Sequence, residues 1–243
     1  MGYVIPRAYV DNFADGVEAI SKANKAMLER ALSTIDLSQP SAEDVVLGVM
    51  QTVCRGSSSQ AAYLSKQFYL GLRDIMVGSE DGYEGVTDTG RAPGATETVT
   101  RGIMAAADYD DIVARLQARV GYETKLASHR TLYACGDADP KRPRFARVPR
   151  RTRSYADGCP FCQTLASRGF VYHTGQTAGV HVHDGCSCAI VPSWDKSPQV
   201  EGYDRHDYDA GYQKFLDHDY SQPDRTVPHR SLEWQRGHPA GTN

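Results

Sequence analysis

The sequence predicts an α+β fold: an N-terminal helical region followed by a small, β-rich C-terminal module bound around zinc. Three observations predict it. Apolar residues recur at three- and four-residue steps through the first third of the chain. Four of the six cysteines (Cys159, Cys162, Cys186 and Cys188) crowd into one stretch with His181 and His183. Between these regions, residues 78–102 are rich in glycine and almost without apolar periodicity. The 243 residues suffice for one large domain or two small ones, with enough apolar material to bury a core. A net charge of −3 provides no global basic field, so any contact with nucleic acid has to come from a local patch. No apolar run approaches the roughly 18 residues of a membrane span, and the start, MGYVIPRAYVDNF, lacks a signal peptide's apolar stretch. Neither a membrane nor a secreted protein is expected.

Each element follows in order. In residues 1–77, Val10, Phe13, Val17, Ile20, Met27, Ala31 and Ile35 form one apolar helical face, which Pro40 ends. Ser41 and Asp44 have the spacing of a capping box at the start of a second helix carrying Val45, Val46, Val49, Met50 and Val53. Gly56 and the three serines after it predict a break. A third helix then carries Ala61, Leu64, Phe68, Leu72 and Ile75, and the three make an antiparallel bundle. Residues 78–102 hold six glycines and no apolar period, which reads as a loop or linker. Residues 103–140 read as a long helix with Asp108 as N-cap, Ile112, Leu116, Val120, Leu126 and Leu132 on its apolar side, Gly121 as a weak point and Gly136 as its stop. Cys54 and Cys135 sit in apolar helical surroundings, where a thiol acts as a small hydrophobe.

Residues 141–153 (KRPRFARVPRRTR) contain seven Lys or Arg and no acid. Pro143 and Pro149 exclude a helix, so an extended basic strand or arm is expected. Lys141, Arg142, Arg144, Arg147, Arg150, Arg151 and Arg153 are its candidate contacts, with phosphates, with an acidic protein surface or with the chain's own acidic segment. Residues 154–200 form the cysteine and histidine module. Residues 201–243 form an acidic, tyrosine-rich tail, with a short helix starting near Asp204.

The chemistry lies in Cys159-Pro-Phe-Cys162 and the later His181-Val-His183-Asp-Gly-Cys186-Ser-Cys188. A C-x2-C turn aims two thiolates at one ion, and H-x2-C adds an imidazole and a thiolate, the soft tetrahedral set that zinc prefers. Phe170, Val171 and Tyr172 alternate as a strand between the half-sites. Cys159 and Cys162 are the firmest ligands, and His183 has the better spacing to Cys186 than His181 has. Cys186 and Cys188 point to opposite faces of an extended segment, so either one completes the set. With this many soft donors the zinc is expected to be structural.

Arg147-Val148-Pro149, Cys159 and Cys162, Leu165 to Gly169 with Val171 and Tyr172, then His183, Cys186 and Cys188, followed by Glu201 to Asp204, together resemble the C-terminal module of MuF-like minor head (minor capsid) proteins of tailed phages, in the form found in phages of actinobacteria. The likeness covers about residues 143–205; Gly185 stands where that family more often has Asn or Asp. The resemblance implies a structural virion protein without enzymatic activity. It would be built into the phage head after assembly in the host cytoplasm, with the portal and the major capsid protein as partners and packaged double-stranded DNA as a further contact. Two other readings stay open: a zinc-knuckle nucleic-acid-binding protein, and a nuclease in which His181, His183 and Asp184 serve a metal.

Overall fold

The structure is a computed structural model that describes residues 2–90, 94–106, 109–150, 160–175 and 188–209. Most of the described chain is helical. Strand β1 (Val4–Ile5) leads into helix α1 (Arg7–Leu32), followed by α2 (Ala42–Met76), α3 (Gly94–Ala106) and α4 (Tyr109–Ala138). Strand β2 (Arg144–Val148), helix α5 (Pro160–Ala166), and strands β3 (Ala189–Ser193) and β4 (Gln199–Val200) complete the order, with a 3-10 turn at Arg205–Tyr208. The coarse α+β expectation holds.

α1 buries Val10, Phe13 and Val17 as the apolar pattern predicts, then turns Ser21, Asn24, Leu28 and Leu32 inward while Met27 is left exposed. The inward face therefore drifts by one position, because small or amide side chains occupy the close-packed middle. Asn24 satisfies its amide on Ile20 O and Gln60 Oε1 at 2.8 and 3.2 Å. Stacked rings of Tyr9, Phe13 and Phe68 join α1 to α2, with Phe13 and Phe68 centroids 4.1 Å apart.

Two helices were expected across residues 41–77, and one 35-residue helix is found. Gly56-Ser57-Ser58-Ser59 continues as helix, with Ser57 Oγ bonding back to Cys54 O on the preceding turn. The small side chains also let α4 approach: Ser65 Oγ donates to Ala61 O and lies 2.7 Å from Ser128 Oγ in a buried contact. Ser41 is at the N-cap position but its side chain makes no capping bond, so the capping box does not form. Val45 and Ile75, expected in the core, are about half exposed, at 48% and 54%.

The loop expected over 78–102 gives way to α3 from Gly94, where Arg101 pairs with Glu97 on its own turn and with Glu43 and Asp44 of α2. α4 runs through both glycines that were expected to weaken or stop it. A Cβ on Gly121 would lie 2.9 Å from Lys25 Cε, and one on Gly136 would lie 2.5 Å from Phe145 Cζ. These glycines admit α1 and β2 to close packing and do not end the helix.

β2 and β3 pair antiparallel from Arg144↔Ser193 to Val148↔Ala189, and Phe145 also bridges Tyr172 on the opposite side. The expected alternation at 170–172 is present: Phe170 and Tyr172 are buried while Val171 is exposed. β1 pairs parallel with β4, Val4↔Gln199 and Ile5↔Val200, so the start of the chain is stitched to residues near 200. One hydrophobic cluster takes in Phe13, Phe68 and Leu132 from the helices, and Phe145, Leu165 and Ile190 from the β-rich part. The boundary expected between helical region and module is thus crossed by a common core.

Candidate functional site

The basic stretch is extended, as expected, but a strand sends alternate residues to opposite sides. Lys141 and Arg142 are exposed in the turn after α4, where Arg142 takes a left-handed φ of 42°. Arg144, at the edge of β2, donates from Nη2 to the carbonyls of Asp195 and Lys196 at 2.9 and 2.8 Å. Arg147 is fully buried, with Nη2 3.3 Å from His129 Nδ1. Arg150 pairs with Asp15 of α1. The stretch is therefore no uniform basic arm, and Arg147 has no access to an external phosphate. Arg151 and Arg153 lie outside the described residues.

Of the expected zinc ligands, Cys162 and Cys188 are described, whereas Cys159, His183 and Cys186, with the alternative His181, lie outside the described residues. Cys162 is buried within α5, and half-buried Cys188 directly precedes β3. One from each half of the motif, they meet the same core cluster, and Cys188 also borders a cavity of about 30 Å³ with His129 and Arg150. Among the described residues no group of three or more His, Cys, Asp or Glu side chains has metal-site spacing. The segment after Asp204 is a capped turn: Asp204 Oδ1 accepts from His206 N at 2.9 Å, and His206 Nδ1 meets Asp209 Oδ2 at 3.0 Å.

A buried polar hub was missing from the sequence reading. Arg73 of α2 is 2% exposed and faces Asp139, just beyond α4, through Nε at 2.8 Å. Asp139 also accepts from Tyr69 OH at 2.8 Å, Trp194 Nε1 at 3.1 Å and Lys141 N at 2.8 Å. The far side of the guanidinium holds Asp81 through two nitrogens, at 2.9 and 2.5 Å. Burial alone pushes the Asp139 carboxyl up, but the hydrogen bonds from Arg73, Lys141 N and Tyr69 outweigh it and hold the group below the usual carboxylate range. Burial, with the hydrogen bond to Asp139 second, raises the Tyr69 hydroxyl. The hub ties α2, the end of α4, the 78–81 turn and the segment after β3 into one joint. Arginine among the apolar residues of LGLRDIM, and aspartate before Pro140, were the only traces of it in the sequence.

A helical bundle carrying a short antiparallel ladder on its own core makes this an α+β protein. The family model described as VG15 protein matches residues 4–215, from β1 past the 3-10 turn, and the chain belongs to this family of phage proteins. No curated protein and no solved structure matches it. Among the described residues no helix is long and apolar enough to cross a membrane.

Proposed function

We propose that this phage protein is a MuF-like minor capsid protein, a structural component of the head that acts at or near the portal. The observation that carries the reading is the motif series from Arg147 to Asp204, which resembles the C-terminal module of such proteins and lies wholly inside the family match. A common core joining bundle and ladder suits a part whose work is to hold a shape between other proteins. The role needs no catalytic step. Its partners are the portal and the major capsid protein, and Lys141 and Arg142, exposed on a turn, are the residues of the basic stretch best placed for packaged DNA.

Zinc belongs to the same proposal. Cys159, Cys162 and His183 would hold it with Cys186 or Cys188, and the ion would tie α5 to the segment that leads into β3. A coordinating metal ion deprotonates the thiols that bind it. The ion's binding energy would then be folding energy for the module. The reading is tested by mass spectrometry of purified virions, together with co-purification of the tagged chain with portal and coat protein from infected cells. Presence in filled heads and capture of portal are expected. A chain absent from virions, or one that degrades plasmid with added magnesium and stops on His183→Ala, would replace the reading with a non-virion or nuclease role.

A further inference from the structure

One concavity formed by the described residues has no cysteine in its lining. It is a groove of about 610 Å³ between β1, β4 and residues 168–171. Three arginines from distant parts of the chain line it: Arg144, Arg168 and Arg205. None of them is ion-paired with a carboxylate among the described residues. The two acids at the rim are already engaged by backbone amides. Glu201 Oε2 accepts from Arg7 N at 3.2 Å, and Asp204 Oδ1 caps the 3-10 turn through His206 N. The groove thus sets three arginines against two carboxylates, a lining of net positive charge.

The arginines are also held in place. Arg144 is anchored by the two carbonyls it bonds, which leaves its remaining N–H groups for a ligand. Arg168 is half-buried, its guanidinium interacts with the Tyr172 hydroxyl, and its Nε has no hydrogen-bond partner among the described residues. The stem of Arg205 lies on Gly169, where a Cβ would come 3.3 Å from Arg205 Cδ, and Gly169 takes a φ of +66° that favours glycine. Apolar surface completes the groove: Val4 and Val171 are 46% and 50% exposed on its walls.

We infer that this groove is a docking site for an acidic peptide segment of a partner protein, one in which carboxylates alternate with apolar side chains. Carboxylates match the arginine forks, and the apolar side chains cover Val4 and Val171, which a phosphodiester backbone would leave in water. Duplex phosphates meet an open basic face, whereas this groove sets the exposed side chains of Val4 and Val171 beside its arginines. The inference stands apart from the virion role, since it is read on the purified chain, whatever the partner in the head proves to be.

The test uses the full chain and a short fluorescein-labelled peptide alternating glutamate with leucine, followed by anisotropy at low and physiological salt. A labelled DNA duplex is run beside it. Saturable peptide binding that weakens with salt is expected, falling about tenfold in an Arg168→Gln/Arg205→Gln variant, a decade corresponding to about 1.4 kcal/mol. Val171→Asp, an exposed change that leaves the arginines in place, is expected to weaken the peptide comparably by repulsion, and it serves if the double variant folds poorly. No saturable peptide binding at low salt overturns the inference. So does equal binding by parent and variants, or tighter binding of the duplex with the same arginine dependence, which would make the groove a nucleic-acid site.

Discussion

Asp139 shows how one carboxylate governs a joint between elements. Removing it as Asp139→Ala leaves Arg73 with Asp81 as its remaining ion-pair partner and takes the acceptor from Tyr69 OH and Trp194 Nε1, and should cost about 1–3 kcal/mol in urea unfolding. The pH dependence follows from the direction of its shift. Its folded pKa is depressed, so its stabilisation is complete above the unfolded value of about 3.9 and is lost as pH falls from there through the lower folded value. Urea titrations at neutral pH and below pH 4 should show this loss in the parent and a shallower one in Asp139→Asn; parallel declines would remove Asp139 from the acid response. The hub was poorly legible in the sequence, because Asp139 and Arg73 are far apart in the chain and each alone looks like a surface charge.

At the scale of elements, the glycines of α2 and α4 separate propensity from packing. Gly48 faces solvent and a Cβ there meets nothing within 4 Å, so Gly48→Ala should stabilise by about 0.5–1 kcal/mol through helix propensity alone. Gly136→Ala gains the same propensity but drives a methyl against the Phe145 ring, and overpacking of about 1–3 kcal/mol should win. Thermal unfolding of the two variants should move in opposite directions, and a stabilised Gly136→Ala would mean that β2 sits less tightly on α4 than described. The helical faces themselves were largely readable: Val10, Phe13, Val17, Leu72, Leu116 and Val120 are all buried where the period put them. The continuity of α2 across Gly56 and its serines was not, since serine tolerates a helix interior only when it back-bonds or a neighbouring helix needs the room.

For the whole molecule, the common core sets what loss of the proposed metal would do. Cys162→Ser is expected to abolish zinc binding, about one ion per chain by elemental analysis of the parent, and to lower the unfolding midpoint of the entire chain, because α5 and β2 share buried residues with α1, α2 and α4. A two-step melt with an unchanged first transition in the helices would show instead that the module unfolds alone. Parent protein with no zinc and intact thiols would remove the metal from the proposal while leaving the family membership untouched.

What the sequence by itself determined is local and periodic. It set the mostly helical N-terminal region, the extended form of residues 144–148, the alternation at Phe170 to Tyr172 and the turn starting at Asp204, because each depends on side chains a few positions apart. Only the tertiary structure decided which helices merge and which glycines pass through them. It also decided that β1 closes on β4, that Arg147 is sealed inside while Arg144 joins Arg168 and Arg205 at a groove, and that Arg73 meets Asp139. Those outcomes turn on contacts between segments remote in the chain, where burial and charge compensation outweigh local preference, and a single sequence carries no record of which remote segments will meet.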